Sequence, residues 1–506
     1  MLEQLQAALD NGNHQEAQVL IGAISDQQDS PHAQISLVNI CLKQGFFDLG
    51  VRCFAKAANL ESVALQAIAL AQEPAMQQNT ELAIAFLHSA HIAQPKNLAI
   101  LVSLADMLLA SNQADKVEVI LREALTTLPH AEIVARLAEA YFRQGKFHDA
   151  KACAVLGLEM SPNNPQSHIN LAVIEKSLNN LPQSARQFSH ALELAPDNFF
   201  AHINLAHLSL MSGEFALGWS ENEWRWRDPV CNREQFPLPL WQGEQEPTHH
   251  LLLWADQGLG DQIMFLSLYQ RLHCQVTVKV DPRLHPLLPA GMQVLTQSYD
   301  GDYTEFDSQI SLGSLPSHFI TSFEDFSPVP SYLQPPATDG AAPQAEPGSQ
   351  YTKRMGFSWR GGRYGTGGGH RSLDMDVWSL LKTAPEVQWV NLQYDSTETE
   401  RAWLQEQGIE TPEFDLKNDL VASAQLLTEL DGYIGVDNST LHLAAALGVN
   451  ATLLLPTVAD WRWFTEIKHC YWYKTVTLNR ALPVNLAEAE DSAQFMAIIN
   501  GCIEAL

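Results

Sequence analysis

Two short segments in the second half of the chain contain residue types and spacings suited to binding phosphate. Leu251–Asp261 (LLLWADQGLGD) and Gly435–Gly448 (GVDNSTLHLAAALG) each combine an apolar run, a tight polar turn and the start of a helical pattern. A strand followed by a turn and a helix presents backbone N–H groups and small hydroxyls to an anion. Two such segments in one chain indicate an enzyme that uses a nucleotide-activated substrate.

The first segment ends in Gly258, Gly260 and Asp261. The glycines permit a tight turn and a close backbone approach. Both are therefore candidates for binding the nucleotide-activated substrate, which is the donor of the transferred group. Asp261 has two interpretations. It caps the helix that follows, or it faces the cleft as a general base that accepts the proton of an acceptor hydroxyl.

The second segment places four polar residues at the start of a predicted helix: Asp437, Asn438, Ser439 and Thr440. The hydroxyls and N–H groups of such a turn can hold a diphosphate, and His442 lies one turn further along, where it can face the same site. The alternative is that the polar residues only form a capped helix start, and that His442 is a structural histidine in an Ala- and Leu-rich helix.

A glycine-rich stretch with three arginines, residues 359–372, follows another predicted strand. In an otherwise acidic protein, Arg360 and Arg371 are candidates to fold over a phosphate, since guanidinium groups bind phosphate through two parallel hydrogen bonds. A disordered linker is the alternative. After a further strand, the segment Asp460–Trp463 either walls the nucleotide pocket or places its tryptophans in the core.

The elements that must position these residues alternate from about residue 250 onwards. Short apolar runs predict strands of a parallel sheet buried on both faces: Leu251–Trp254, Val276–Val280, Ser308–Leu312, Gly356–Trp359, Trp389–Leu392, Tyr433–Val436 and Thr452–Leu455. Helical patterns such as Asp261–Leu272 and Asp374–Lys382 lie between them. This alternation is typical of an α/β fold.

We therefore predict two Rossmann-like halves in the second part of the chain. The halves are residues 250–334 and residues 351–485, with the substrate cleft between the carboxyl ends of the two sheets. Residues 335–350, rich in Pro, Ala and Gly, are predicted as a flexible linker. Residues 486–506 are predicted as closing helices.

The first 227 residues contain a helical repeat pattern. Turn residues recur every 33 or 34 positions, at Gly12, Gly45, Gln78, Asn112, Gly145, Asn179 and Gly213. Small residues after each turn let paired helices pack closely, and prolines such as Pro162 and Pro196 stop the second helix. Because one pair cannot bury its own apolar face, the pairs must stack.

This pattern resembles an all-α tetratricopeptide solenoid of about six repeats. The groove of such a stack usually holds a peptide or a partner protein. The alternative is that the array is only a spacer or a dimerisation element.

Large aromatic residues crowd into the helix that ends the array: Phe215, Trp219, Trp224 and Trp226. We interpret them as a seam between the last repeat and the next domain, with a ligand platform as the alternative. Residues 228–249, rich in proline and polar groups, are predicted as a connector.

The formal net charge of −28 over 506 residues argues against nonspecific binding to nucleic acid or to an anionic membrane. The N-terminus lacks the pattern of a signal peptide, and no apolar run approaches the length of a bilayer span. The seven cysteines form no CxxC pair and no Cys/His ligand spacing. Together these features favour reduced thiols, a cytoplasmic protein and no metal site.

In its order of segments the chain resembles bacterial proteins in which tetratricopeptide repeats precede a GT-B glycosyltransferase domain. That domain is similar to the heptosyltransferase-like superfamily, and the layout is similar to protein O-GlcNAc transferases. The resemblance rests on GLGDQ at Gly258–Gln262, on Ser358-Trp359 followed by Arg371-Ser372, and on the segments Val436–Gly448 and Pro456–Phe464. It implies a metal-independent enzyme that needs no cofactor and uses a nucleotide-diphosphate sugar as co-substrate. It also implies that residues 250–334 form the acceptor side and residues 351–485 the nucleotide-sugar side.

By the same resemblance, Asp261 matches the catalytic base and Arg371 matches the basic residue that steadies the diphosphate. The donor-binding segment is matched by Asp437, Ser439, Thr440 and His442. The sequence departs from the heptosyltransferase-like pattern at Asn438-Ser439, where a Thr-Gly pair commonly follows the aspartate. The glycine-heavy loop before His370 is a second departure.

The leading hypothesis is therefore a glycosyltransferase that moves a sugar onto a protein acceptor recruited by the repeats. Flagellin or another surface protein is an acceptor suggested by analogy alone. One alternative is a noncatalytic scaffold whose α/β part is a relic or a nucleotide sensor. The other is an enzyme that transfers sugar to a glycan or lipid precursor.

Overall fold

The structure is a computed structural model of the chain. It describes residues 1–27, 31–44, 46–57, 80–228, 233–296, 299, 301–337, 351–361, 372–373, 386–456, 458–465, 469–480, 497 and 500–501. The chain divides into two compact units, Met1–Asp197 and Asn198–Leu506. Across the described residues, no helix has the length and apolar composition needed to cross a bilayer.

The first unit is built from helices joined by short turns. Its described helices are α1 (Leu2–Asp10), α2 (His14–Gln27), α3 (Pro31–Gln44), α4 (Phe47–Ala57), α5 (Thr80–Ala93), α6 (Leu98–Ala110), α7 (Ala114–Leu125), α8 (Ala131–Arg143), α9 (Phe147–Met160), α10 (Pro165–Ser177) and α11 (Leu181–Leu194). Their apolar faces, including Phe86, Leu104 and Leu121, form a continuous core through most of the unit.

The repeat pattern is visible in the backbone as well as in the packing. Gly12, Asn112, Gly145 and Asn179, all predicted turn residues, have positive φ angles, the left-handed conformation that glycine and asparagine adopt most readily. Gly45 and Gln78 lie outside the described residues. The small residues Ala150, Ala154 and Gly157 are buried along α9. The first unit is thus a tetratricopeptide-like helical solenoid.

The second unit opens with one more helix pair, α12 (Phe199–Met211) and α13 (Phe215–Asn222), followed by a 3-10 helix, Glu223–Arg227. The predicted aromatic seam is confirmed. Trp219 is buried, its Nε1 donates to the carbonyl of Ile320 over 2.9 Å, and its ring lies edge-on to Trp461 at 5.6 Å.

Arg225 ties this helix pair to the first sheet. Its guanidinium binds the buried carboxylate of Asp256 at 2.8 Å and donates to the hydroxyls of Ser311 and Ser314 over 3.0 and 2.7 Å. The last helix pair of the predicted array is therefore packed within the second unit.

The first sheet of the second unit has four parallel strands in the order β3-β2-β1-β4. They are β1 (His250–Trp254), β2 (Gln275–Lys279), β3 (Gln293–Val294) and β4 (Ser308–Ser311). Helix α14 (Leu259–Leu266) and a 3-10 helix, Ser267–Arg271, follow β1. Four more 3-10 helices described in this half are Pro282–Leu287, Tyr303–Glu305, Leu315–His318 and Phe323–Asp325. The connector contributes a short bridge in which Leu240 pairs with Gln309 of β4.

The second sheet has five parallel strands in the order β6-β5-β7-β8-β9. They are β5 (Lys353–Phe357), β6 (Val387–Asn391), β7 (Gly432–Val436), β8 (Ala451–Leu454) and β9 (Val476–Asn479). The described helices of this half are α15 (Glu398–Glu406), α16 (Leu420–Thr428) and α17 (Ser439–Leu447), with a 3-10 helix at Trp461–Trp463. All five residues of β7 are buried, as expected for a central strand covered on both faces.

The predicted parallel α/β architecture is confirmed, with end shifts of a few residues at most. Strands β3 and β9 were not predicted: β3 has two residues, and β9 alternates buried and exposed positions at a sheet edge. The predicted helix Asp374–Lys382 lies outside the described residues, as do most of the linker 335–350 and most of the closing segment 486–506.

Candidate functional site

A cavity of about 730 Å³ lies in the second unit beside the starts of α14 and α17. Each of these helices follows a strand next to the point where the order of strands in the sheet reverses. In the first sheet β1 lies between β2 and β4, and in the second sheet β7 lies beside β5. Ligands of open α/β sheets bind outside the carboxyl ends of strands at such switch points. The cavity is therefore where this topology predicts a binding site.

All the predicted site residues that the structure describes line this one cavity. They are Gly258, Gly260, Asp261, Arg360, Asp437, Asn438, Ser439, Thr440 and His442. Arg371 lies outside the described residues. Segments about 180 residues apart in sequence thus line a single cavity.

The start of α14 is formed by Gly258, which occupies the N-cap position without a side-chain cap. Asp261 lies in the first turn of the helix, so the interpretation that Asp261 caps it is wrong. Its carboxylate is instead part of the cavity wall. Gly260 allows α14 and α17 to approach closely, because a Cβ at this position would lie 2.9 Å from Cδ2 of His442.

The start of α17 is capped by Asn438, whose side chain accepts a hydrogen bond from the N–H of Leu441 over 3.0 Å. The amide of Asn438 also donates to the hydroxyl of Ser358, over 2.7 Å. These bonds commit Asn438 to the helix start and to the end of β5. Ser439 and Thr440 then form the first turn, where N–H groups have no partner within the helix.

His442 is held in place on three sides. Its Nδ1 lies 2.6 Å from the hydroxyl of Tyr473, its Nε2 lies 3.5 Å from Asp437, and its ring stacks on Trp463 with centroids 5.5 Å apart. Burial, reinforced by the neighbouring Tyr332, raises the pKa of Tyr473 well above its usual value. Tyr473 therefore stays protonated and fixes the His442 ring.

The sequence interpretation included Arg462 only as part of the segment Asp460–Trp463 and did not single it out, although its guanidinium contacts three carboxylates of the cavity wall. Its guanidinium lies 2.6 Å from Asp261, 3.0 Å from Asp460 and 3.4 Å from Asp437. Burial disfavours the charge, but the three carboxylates outweigh burial and raise the pKa of Arg462. A basic residue just past a strand end, in a very acidic chain, was the available signal.

The segment Asp460–Trp463 combines both roles that its sequence suggested. Asp460 and Arg462 line the cavity, whereas Trp461 and Trp463 are buried. The charged residues of this segment thus line the cavity, and its tryptophans are packed in the interior.

Arg360 lines the cavity, but protein groups hold its guanidinium. It forms an ion pair with Glu400 and donates to the carbonyl of Asp395 over 2.7 Å. Burial of Glu400 is outweighed by hydrogen bonds from Thr397 and Trp359 and by the charge of Arg360, so the pKa of Glu400 is lowered. A phosphate would have to compete with these contacts for Arg360.

The other end of the cavity is mixed in character. Leu392, Leu416, Leu420 and Leu427 supply apolar surface, beside Tyr394. Arg283 donates to the carbonyl of Lys417 over 2.8 Å, and Lys417 pairs with Asp395 at 2.6 Å. Apolar walls with a few fixed polar groups are typical of pockets for small organic ligands. Among the described residues, no cluster of three or more His, Cys, Asp or Glu side chains is arranged to hold a metal ion.

No family model matches this chain. The chain is 25% identical over 436 residues to Protein FlbA of Caulobacter vibrioides (strain ATCC 19089 / CIP 103742 / CB 15), a match that covers 78% of this chain and 72% of FlbA.

Three solved structures are similar to about a third of the chain. MamA 41-end from Desulfovibrio magneticus RS-1 is 13% identical, with a TM-score of 0.28, over 32% of this chain and 92% of that one. YrrB, described as a TPR protein with an unusual peptide-binding site, is 16% identical, with a TM-score of 0.27, over 36% of this chain and 94% of that one. A thermophilic TPR protein of Thermus thermophilus, TTC0263, is 17% identical, with a TM-score of 0.26, over 36% of this chain and 100% of that one.

Proposed function

We propose that the second unit is a glycosyltransferase with a GT-B arrangement, which moves a sugar from a nucleotide-diphosphate donor to an acceptor. One observation carries the proposal: the starts of α14 and α17 line the same cavity as Asp261, His442 and Arg462. A candidate anion site and a candidate base in one cavity support the proposal, because displacement of a phosphate leaving group needs both.

The phosphate part of the proposal follows from the two helix starts. The first turn of a helix carries N–H groups without helical partners and a partial positive charge. The glycines at 258 and 260 leave the α14 turn open to close approach, and Ser439 and Thr440 add hydroxyls at the α17 turn. These groups would bind the diphosphate and stabilise the charge that develops on it as the sugar leaves.

Asp261 is the candidate general base. In the reaction, the acceptor oxygen forms a bond to the anomeric carbon, the bond from that carbon to the phosphate oxygen breaks, and the acceptor proton passes to the Asp261 carboxylate. The diphosphate leaves with the bonding electron pair. We propose that the helix starts and Arg462 supply the positive charge for this step, so that transfer proceeds without a metal ion.

The acceptor is proposed to be a protein bound by the repeats. Stacked helix pairs form an extended groove that suits a peptide or protein ligand. By analogy alone, we propose flagellin or another surface protein as the acceptor.

The test is an assay of the full-length protein with a panel of nucleotide-diphosphate sugars. We expect at least one donor to bind and to be consumed in the presence of chelator. Asp261→Asn should retain donor binding and lose transfer by about 10²-fold or more, the usual contribution of a general base. Glu406→Gln, which removes one exposed carboxylate at the end of α15, is the charge-matched control and should transfer at the wild-type rate.

Mass spectrometry of protein, glycan and lipid fractions then identifies the acceptor class. Added sugar on a captured protein supports both glycosyl transfer and a protein acceptor. Added sugar on a glycan or lipid supports glycosyl transfer but contradicts the protein acceptor. Absence of donor binding, hydrolysis and transfer in a folded protein would contradict the proposal and favour a noncatalytic scaffold.

A further inference from the structure

We propose that Arg462 is a shared cation, which neutralises Asp261 while the cavity is empty of donor and turns to the donor phosphate when one binds. Phosphate binding would thereby release the Asp261 carboxylate to accept a proton. The role of Asp261 as base rests on the proposed function, whereas the competition for Arg462 can be tested without any sugar transfer.

The contacts of Arg462 show that it has competing partners and spare donors. Nη2 binds Asp261 at 2.6 Å, and Nη1 lies within reach of both Asp437 and Asp460, at 3.4 and 3.0 Å. A guanidinium carries five N–H donors. In the part of the chain that the structure describes, Nε has no hydrogen-bond partner although it is buried. Arg462 therefore has a donor that its present contacts do not use, and a turn of the side chain could bring this donor to an anion.

The backbone around Arg462 is fixed, so an exchange of partners must be made by its side chain. The Arg462 carbonyl accepts a hydrogen bond from Nε1 of Trp472 over 3.0 Å. Trp461 stacks near Phe265 with ring centroids 6.4 Å apart. Phe464, two residues further along, is buried with φ 57° and ψ −169°, an unfavourable conformation for a bulky residue that only tight surroundings maintain.

The charge balance favours the exchange. Three carboxylates, those of Asp261, Asp437 and Asp460, share one guanidinium. A phosphate bound at the helix starts can accept two parallel hydrogen bonds from the Arg462 guanidinium, and it carries more negative charge than a carboxylate. Once Arg462 turns to the phosphate, the Asp261 oxygen that accepts its hydrogen bond is free to accept one from the acceptor hydroxyl.

The test is a calorimetric titration of the full-length protein with inorganic pyrophosphate, which carries the phosphate chemistry but no sugar. If Asp261 competes for Arg462, Asp261→Asn should bind pyrophosphate about tenfold more tightly than wild type, in the range of couplings within an ion-pair network. Arg462→Lys and Arg462→Met should both bind it more weakly. The gain from Asp261→Asn should disappear in the Arg462→Met background. It should shrink in the Arg462→Lys background, because lysine keeps the charge but cannot form two parallel hydrogen bonds.

Asp395→Asn is the matched control, because it also removes a carboxylate from the cavity wall, one that pairs with Lys417. Any gain that it produces by lowering negative charge should persist in the Arg462→Lys background. Thermal unfolding of each variant checks the fold, and the conservative Lys variant keeps the cycle measurable if the Met variant is unstable.

The inference is overturned if folded wild type fails to bind pyrophosphate at millimolar concentration, if Asp261→Asn gives no gain, or if the gain is the same with and without Arg462. If the tighter pyrophosphate binding of Asp261→Asn depends on Arg462, but no donor supports sugar transfer, the shared-cation inference stands. That result would contradict only the proposed function.

Discussion

Gly260 sets how closely α14 and α17 meet at the cavity. A side chain at this position would collide with the His442 ring, whose position is fixed by Tyr473, Asp437 and Trp463. The ring therefore cannot move aside without breaking one of these contacts. The absence of a Cβ at Gly260 thus sets how closely the two helix starts can lie.

Gly260→Ala tests this constraint. We expect a loss of stability of about 1–3 kcal/mol, the usual cost of overpacking, and weaker donor and pyrophosphate binding because His442 and the α17 turn are displaced. Denaturant unfolding and calorimetry measure the two effects. Gly22→Ala is the control, since a Cβ there meets nothing within 4 Å; it should not weaken binding or stability. Wild-type binding by Gly260→Ala would show that the helix contact does not shape the site.

Among single residues, Arg462 shows what the sequence could not reveal. Its partner Asp261 is 201 positions away, and no local pattern pairs residues at that distance. The types and positions of Asp261, Ser439, Thr440 and His442 were informative because each lies just after a strand, where topology alone brings the residues together. Side-chain pairing within that cluster depends on packing between segments that periodicity does not specify.

At the scale of elements, α17 is joined to β5 by its N-cap. Asn438 accepts from Leu441 at the helix start and donates to Ser358, which follows directly on β5. The same residue therefore holds together the two strands that flank the switch point of the second sheet. This is also the position at which the sequence departs from the heptosyltransferase-like pattern, and a helix cap explains an asparagine there.

Replacing Asn438 by Ala should reduce both stability and binding. We expect a loss of about 2–3 kcal/mol, since the cap is removed and the buried Ser358 hydroxyl loses a partner. Pyrophosphate affinity should fall as the α17 start loosens. Asn164→Ala is the matched control, because Asn164 caps α10 in the first unit in the same way; it should cost about 1 kcal/mol and leave binding unchanged.

Equal pyrophosphate affinity in Asn438→Ala and Asn164→Ala, with each stability loss observed, would contradict a role for the α17 start in anion binding. Calorimetry with denaturant titrations on the same preparations makes the comparison.

Regular elements were easier to predict than their exceptions. Turn residues such as Asn112 and Asn179 fall on the repeat grid and adopt the left-handed backbone that the grid requires. Continuous apolar runs became β1 and β7. The two-residue β3 and the edge strand β9 were missed because neither carries a full apolar run, and edge strands need only one buried face.

At the scale of the whole molecule, the strongly acidic chain keeps basic side chains inside one cavity. Arg283, Arg360, Lys417 and Arg462 line it, against a net charge of −28. Each of these side chains is paired with a carboxylate. An anionic ligand entering the cavity would therefore meet cations that are already paired with carboxylates. Its affinity would depend on which of these ion pairs it can replace.

The division into two units refines the predicted organisation. The sequence pattern continues through Gly213, yet α12 and α13 pack within the second unit, where Trp219 and Arg225 contact the first half of the α/β fold. Repeat spacing cannot reveal this, because the residues that form the seam lie on the faces that the repeat leaves free.

We propose that the starts of α14 and α17 bind the phosphates of a nucleotide-sugar donor. A crystal structure of the full-length protein with the donor that it binds most tightly tests this most directly. We expect the phosphate oxygens to lie within hydrogen-bond distance of the N–H groups of Ser439 and Thr440, and the Arg462 side chain to bind the phosphate instead of Asp261. A donor bound elsewhere on the protein, with this cavity empty, would contradict it.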